Sequence, residues 1–378
     1  DLGCYNREGL VMAVTADVII IGGGIAGMSL AARLAGNREV ILLEAEDQFA
    51  YHSTGRSAAM FVINYGPPVI RKLNRLSEAF LRNHDGFSDT PVLGPRGQLI
   101  IDFGDDSENF EAYIDGSIGL EFISSAEAVS LVPILDEGQV RRALYEADAS
   151  EIDVHQLFSS FQKQARQSGA SLKSRHPVKA ITRTASCWQV SAGDDIFEAP
   201  IVVNAAGAWA DQIAAMAGVA PCQITPKRRS AVLIPGPEGS SSWPMFVPAA
   251  ENWYAKPDAG RLMISPADQD PVQPHDAFPD DMVLAEGIDR FCKKTTIEVN
   301  RVERSWAGLR CFAPDHDPVA GFDPDHEGFF WLAGQGGYGI QTSPALSEFA
   351  AASITGDEVD TELATALSPA RFGVRSSS

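Results

Sequence analysis

The chain has 378 residues, 45% hydrophobic and 21% charged, the balance of a folded globular protein with room for two domains and not of a disordered one. Fifty Asp and Glu against thirty Lys and Arg give a net charge of −20, which repels nucleic-acid backbones and anionic lipid, so neither is expected as a partner. Five widely spaced cysteines without a CxxC, and seven scattered histidines, argue against a disulfide framework or a zinc site. The one dense cluster, Asp315-His316-Asp317-Pro318, reads as a polar turn, and no metal is expected. The apolar runs are strand-sized and no leader pattern precedes Met12, so a cytoplasmic protein without a membrane span is expected, with residues 1–11 a poorly ordered tail.

Val18 to Ile21 is an apolar strand running into Gly22-x-Gly24-x-x-Gly27, and a second strand, Val40 to Leu43, ends at Glu44. Gly22 permits the tight turn, Gly24 lets a pyrophosphate approach the backbone, and Gly27 lets the helix pack on the strand. Glu44, about 20 residues downstream, is set to accept from a ribose and to repel a 2′-phosphate, which selects FAD or NAD over NADP. The small-residue segment Tyr51 to Ala59 is a loop shaped by what it touches. Pro67-Pro68 then opens an amphipathic helix with Val69, Leu73, Leu76 and Phe80 on one face and Arg71, Lys72 and Arg75 on the other. Gln98 to Phe103 is strand-like, and 104 to 149 alternates turns with short helical stretches. Leu157, Phe161 and Ala165 mark a helix, and strands follow at Val178 to Thr182 and Trp188 to Ser191.

Ile201 to Trp209 repeats the first motif: a buried strand breaks at small residues and enters a helix at Ala210. Strands at Ala231 to Ile234, Met245 to Val247, Trp253 to Lys256 and Leu262 to Ile264 lie between Pro- and Gly-rich loops without crossover helices, which predicts antiparallel sheet. A third strand, from Phe329, runs into Gly334-Gln335-Gly336-Gly337-Tyr338-Gly339. Ser343 as N-cap and Pro344 at the first helical position then predict a helix ended by Gly356. Three separated strand-turn-helix segments around one ligand favour FAD, whose extended shape is held from several parts of a chain, over NAD.

These residues resemble the D-amino acid oxidase group of flavoproteins, which includes glycine and sarcosine oxidases, and within it most closely the bacterial D-arginine dehydrogenases. The resemblance runs from about Asp17 to Arg371. It rests on His52-Ser-Thr-Gly-Arg-Ser-Ala-Ala59, Val203-Asn-Ala-Ala-Gly-Ala-Trp209, Pro226-Lys-Arg-Arg-Ser230, Trp306-Ala-Gly-Leu-Arg310 and Gln335-Gly-Gly-Tyr-Gly-Ile-Gln-Thr-Ser343. It implies a Rossmann-like, three-layer α/β FAD-binding domain assembled from discontinuous segments (12–96, 150–225 and 311–370), an antiparallel-sheet α+β substrate domain (97–149 and 226–310), and a C-terminal tail over 371–378.

By the same resemblance FAD would be contacted by Gly22, Gly24, Ala26, Gly27, Glu44 and Ala45 and by the loop Ser53, Thr54, Gly55, Arg56, Ser57, Ala58 and Met60. Val178, the second turn at Gly207 and Trp209, and the third turn at Gly336, Gly337, Tyr338, Gly339, Ile340 and Gln341 would complete its site. Arg229 and Arg310 would hold a substrate carboxylate, Tyr254 would donate to it, Tyr65 would sit on a loop covering the site, and the Gly337 carbonyl would face the amino group. An Arg fork matches a planar carboxylate. Two positions depart from the D-arginine dehydrogenase pattern: Gln98 stands where a glutamate takes the guanidinium, and Met60 where the loop carries a histidine. Neutral or apolar D-amino acids are therefore expected over D-arginine, unless another acid such as Asp89 substitutes.

The implied reaction is oxidative deamination of a D-amino acid. Oxidation of a secondary amine of the sarcosine or opine type, and a flavin-binding subunit of a larger complex, are the alternatives. Cys311 falls near a position where sarcosine oxidases bond flavin covalently; a buried, inert thiol and non-covalent FAD are expected instead. Whether oxygen or a quinone reoxidises the flavin, and the oligomeric state, are left open by the sequence.

Overall fold

A computed structural model describes residues 13–105 and 107–373; the expected tail over 1–11 lies outside them. Val18–Ile21 is apolar at every position because both of its faces are covered, as in any interior parallel strand. It sits inside a six-stranded sheet ordered Ser171–Lys173, Val40–Leu43, Val18–Ile21, Ile201–Asn204, Phe329–Ala333, Val319–Phe322, parallel except for the last pair. Alternate residues point to opposite faces of a strand. Val18, Ile20, Leu42, Val203 and Phe330 therefore pack under the helices Ile25–Leu34, Val154–Gln167 and Gly339–Thr355. Ile19, Ile41, Val202, Phe329 and Trp331 face Trp188, Val190 and Phe197 of a four-stranded sheet built from Val14–Thr15, Asp195–Ala199, Trp188–Ala192 and Val178–Arg183. Three layers result, and the three strand-turn-helix segments found in the sequence lie side by side in the middle one.

A nine-stranded sheet stands against this unit, ordered Gln335–Gly336, Arg304–Phe312, Thr225–Pro235, Arg261–Ser265, Tyr254–Asp258, Met245–Pro248, Gln98–Asp102, Arg142–Glu146, Glu121–Ile123. Every neighbouring pair is antiparallel except Met245–Pro248 beside Gln98–Asp102. One face of the sheet carries Leu99, Phe246, Ala255, Val232 and Ile264 into a core shared with Leu284 and Phe291. Those two residues belong to the helix Asp281–Lys294, which the sequence reading, expecting no helix between these strands, omitted. Its start is capped conventionally, with Asp280 accepting from the N–H groups of Met282 and Val283.

Other expectations shift. Between 104 and 149 the chain also forms Glu121–Ile123 and Arg142–Glu146, strands hidden by their shortness and mixed polarity. Helix Pro68–Arg82 turns its buried face one residue away from the expected stripe: Ile70, Leu73, Asn74, Ser77 and Leu81 are inside and Leu76 is 54% exposed. The buried polar pair explains the difference. Asn74 Nδ2 donates to the carbonyls of Val62, Ile63 and Tyr65, and Ser77 Oγ accepts from the Ala345 N–H.

The last long helix begins at Gly339, with Tyr338 as its N-cap, so Ser343 is not a cap and Pro344 lies inside the helix. A proline there removes the N–H that would reach the Ile340 carbonyl, and the Ser343 hydroxyl donates to that carbonyl at 2.9 Å instead. Gly356 ends the helix at φ +80°, as expected. Arg371, assigned to the tail from sequence, is held by Asp315 at 2.7 and 3.0 Å; residues 374–378 lie outside the described chain. Among the described residues no helix is long and apolar enough to cross a membrane.

Gly27 is the tightest point of the first turn. A Cβ there would stand 2.0 Å from the Gly22 carbonyl oxygen and 3.1 Å from Ile20 Cγ2. Gly27→Ala is expected to lower stability by roughly 1–3 kcal/mol, the usual cost of overpacking, because the obstacle is backbone and cannot rotate away. The midpoint of urea unfolding measures it.

Candidate active site

All three turns close on one cavity of about 940 Å³, at the carboxyl ends of the parallel strands and against the second face of the nine-stranded sheet. This is where open α/β sheets hold ligands. Gly22, at φ +115°, brings its turn so close to the second one that a Cβ would lie 2.3 Å from the Ala205 carbonyl oxygen. At Gly24 a Cβ would meet only Thr54 Oγ1, at 3.3 Å, so its remaining side is open. The Thr54 hydroxyl accepts from the Ile25 N–H at 3.0 Å. Glu44 is fixed at the rim, accepting from the N–H groups of Gly23 at 2.7 Å and Glu46 at 2.9 Å.

Of the residues expected at the cofactor, Gly22, Gly24, Ala26, Glu44, Ala45, Ser53, Thr54, Arg56, Ser57, Ala58, Met60, Val178, Gly207, Trp209 and the whole turn Gly336 to Gln341 line the cavity. Gly27 and Gly55 do not. Gly55 packs on the Ala50 carbonyl, where a Cβ would come within 2.6 Å. Arg56 lines the wall, but its guanidinium is engaged elsewhere: it donates to the carbonyls of Ala277 and Ala307 at 2.8 and 3.0 Å and pairs with Asp276 at 2.5 Å. Ser53 Oγ donates to the Leu309 carbonyl, and Trp306 Nε1 to the Arg56 carbonyl. These bonds fasten the loop to the strand Arg304–Phe312.

A helix start leaves its first N–H groups without intrahelical partners. Here they belong to Gly339, Ile340 and Gln341, which line the cavity. Gln341 Oε1 accepts from the Val62 N–H at 3.1 Å, whereas its buried Nε2 has no partner among the described residues. An acceptor at this spot would satisfy both the amide and the positive end of the helix.

The other half of the cavity is built by strand register. Arg229 pairs with Gly308 across Thr225–Pro235 and Arg304–Phe312, so Arg310, two residues on, is its diagonal neighbour on the same face. By the same alternation Tyr254, Met263, Met245 and Gln98 face this side while Leu99, Phe246, Ala255 and Ile264 face the core. Arg229 Nε donates to the Asp268 carbonyl at 2.9 Å, and its guanidinium lies 5.9 Å from the Tyr254 ring. Arg310 Nη2 donates to Tyr65 Oη at 3.2 Å, its guanidinium lies 5.9 Å from the Tyr338 ring, and its buried Nε has no partner among the described residues. At Gly337 a Cβ would fall 2.1 Å from Arg310 Nη2, so the third turn approaches the guanidinium as bare backbone.

Several residues of the cavity wall give no signal in the sequence. Glu251, on the cavity wall at φ +47°, has its carboxyl raised above the usual range by burial and drawn back by Arg310 and Arg229. No local pattern in Pro-Ala-Ala-Glu announces it. Asn64 and Tyr113 also line the wall near Gln98. Asp89, considered as a substitute acid, has an 86% exposed side chain 3.5 Å from Lys163 and is not part of the cavity.

The family model for FAD dependent oxidoreductases (DAO) matches residues 17–353. The chain belongs to that family. It binds FAD, and the open side of Gly24, the helix start at Gly339 and the unpartnered Gln341 amide fit that cofactor. The chain is 24% identical over 360 residues to glycine oxidase of Bacillus licheniformis, covering 92% of this chain and 95% of that one. It is 23% identical over 408 residues to FAD-dependent oxidoreductase domain-containing protein 1 of Xenopus laevis, covering 92% and 80%. Among solved structures, L-proline dehydrogenase from P. horikoshii superposes with a TM-score of 0.80 at 24% identity, over 96% of this chain and 98% of that one.

Cys311 borders the cavity and is buried, and desolvation pushes its thiol up to about 12. Only the thiolate is nucleophilic. At neutral pH Cys311 of the folded protein is therefore expected to stay unalkylated by iodoacetamide in a peptide map, and acid denaturation to release all flavin, leaving no flavin mass on the chain. The preference for the neutral thiol is fully present below the ordinary thiol value of 9.0 and is lost as pH rises toward about 12. Gly24→Val, which fills the open side of the first turn, should give a folded, colourless protein; retained yellow colour would sink that assignment.

Proposed function

We propose that this FAD-dependent oxidoreductase deaminates D-amino acids oxidatively, as a dehydrogenase or oxidase resembling D-arginine dehydrogenases, with segments 12–96, 150–225 and 311–370 holding FAD and 97–149 and 226–310 the substrate. The observation that carries the reading is the diagonal pair Arg229 and Arg310, with a buried Nε on Arg310 that has no partner among the described residues. Two guanidinium groups facing a cavity beside three tyrosines suit one carboxylate. Glu251, on the same wall, lies near enough to both to feel their charge.

In this reading Arg229 and Arg310 clamp the substrate carboxylate, Tyr254 donates to it, and the Gly337 carbonyl accepts from the amino group. Clamping removes rotational freedom and aims the Cα–H, which can supply several kcal/mol of the barrier. Bound FAD supplies the acceptor for the hydride. The amine loses a proton as the C=N bond forms, and water hydrolyses the imine to a 2-oxo acid and ammonia. Tyr65, bonded to Arg310 and anchored through Asn74, closes the site from the loop side. The Gln341 amide and the helix start at Gly339 would help hold FAD and would offer donors to negative charge there.

Glycine oxidase and L-proline dehydrogenase, among the relatives, act by name on amino acids without a D side chain. Proline is a secondary amine, which favours N-substituted amino acids as the second reading. Anaerobic bleaching of the flavin against D-, L- and N-substituted amino acids separates the two: bleaching by N-methyl or N-carboxyalkyl substrates alone would overturn the first.

Arg310→Ala and Arg229→Ala should each raise the barrier governing kcat/KM by roughly 2–5 kcal/mol, the range for breaking a buried charge pair, while the flavin stays bound. Wild-type turnover in either variant would put the carboxylate elsewhere. D-leucine and D-methionine should exceed D-arginine in kcat/KM by about 10- to 150-fold, because Gln98 and Met60 offer a guanidinium no carboxylate. Gln98→Glu should narrow that gap.

A further inference from the structure

Gln98 is the visible end of a chain of hydrogen bonds whose direction is fixed at its far end. The Ile118 N–H donates to Asn64 Oδ1 at 3.0 Å, and the Ile118 carbonyl accepts from Asn64 Nδ2 at 2.9 Å. A peptide group cannot exchange donor and acceptor, so the Asn64 amide has one orientation. Its second N–H donates to Glu146 Oε1 at 3.1 Å. Glu146 faces Gln98 in strand register and is 3% exposed; burial holds its carboxyl above the usual range. As a carboxylate, or as an acid with its proton on Oε2, Glu146 accepts at Oε1 from both Asn64 and Tyr113. The Tyr113 hydroxyl donates its single proton to the same oxygen, and its own oxygen accepts from Gln98 Nε2 at 3.1 Å.

Gln98 is 5% exposed and lines the cavity, and among the described residues nothing donates to its Oε1. We infer that this relay through Asn64, Glu146 and Tyr113 locks Gln98 with its carbonyl as the acceptor offered to the pocket, so that the bound side chain carries a neutral hydrogen-bond donor, a carboxamide or a hydroxyl. The inference rests on the carboxylate clamp proposed above. An apolar group would leave Gln98 Oε1 without a bond, and a single amide dipole does not offset desolvation of an ammonium or guanidinium. Glu146 and Tyr113 act through Gln98, as positioning residues.

The test is a binding titration of the FAD-loaded protein with des-amino probes, followed by the flavin spectrum. Succinamate is paired with 4-methylpentanoate and glutaramate with 5-methylhexanoate, each pair matched in shape and differing in the donor. At least one amide should bind about tenfold more tightly than its isostere, the usual scale for leaving a buried acceptor unmade. Gln98→Leu should abolish the preference. Tyr113→Phe and Glu146→Leu should abolish it with flavin still bound, and Glu146→Gln should restore it, because its amide oxygen still accepts from Asn64 and Tyr113. A structural role alone would not separate Glu146→Gln from Glu146→Leu in selectivity while 4-methylpentanoate binds both equally. Equal affinity within both pairs, or a preference that survives Gln98→Leu, overturns the relay. Failure of every probe to bind overturns the clamp and the relay with it, whereas selective binding without bleaching by any D-amino acid overturns only the proposed reaction.

Discussion

Everything at the site depends on backbone packing directly against backbone where three parallel strands end. Val18–Ile21, Ile201–Asn204 and Phe329–Ala333 are in register, so their turns emerge at one level. They fit only because the meeting positions lack side chains: a Cβ on Gly22 would overlap the Ala205 carbonyl, and one on Gly27 the Gly22 carbonyl. A ligand lying across such turns is held by peptide N–H groups, which carry no side-chain entropy to lose. This also explains why the chain returns to the same sheet after long excursions.

The nine-stranded sheet supplies what bare backbone cannot. Its alternation divides it into a dry side, sealed by the helix Asp281–Lys294, and a wet side that carries Arg229, Tyr254, Arg310 and Gln98. A slip of one residue between Thr225–Pro235 and Arg304–Phe312 would send one arginine into the core and leave the other facing the cavity. The pairing of Arg229 with Gly308 leaves room for Arg310 beside it. The carboxylate clamp proposed above would thus be a property of register as much as of residue type.

Legibility in the sequence followed the strength of the local constraint. Strands buried on both faces, with glycine turns after them, could be read because every position was restricted. The Asp281–Lys294 helix was missed because only Leu284, Gly287 and Phe291 of it are buried, too sparse a stripe to stand out. Ser343 and Pro344 carry a start signal, yet the Ser343 hydroxyl serves as the substitute donor that lets the proline sit inside. Gln98 could be singled out from its place in the family pattern, but Asn64, Tyr113 and Glu146 are distant in sequence and meet only after the sheet closes. The expected helix stripe at 68–82 failed for the opposite reason: Asn74 and Ser77 are buried to hold other backbone, which hydrophobic periodicity does not register.

The tether at Arg56 has a thermodynamic consequence. Through Arg56, Ser53 and Trp306 the loop at the cofactor is bound to the strand that carries Arg310. Ordering either element therefore orders the other, and the two ligands share the entropy of that ordering. Binding linkage is reciprocal, so whatever factor FAD contributes to the affinity for a carboxylate, the carboxylate returns to FAD. In the proposed reading, where both ligands order the same loop and strand, an occupied pocket would hold its cofactor more tightly, and the enzyme would lose its flavin most readily when it has nothing to oxidise.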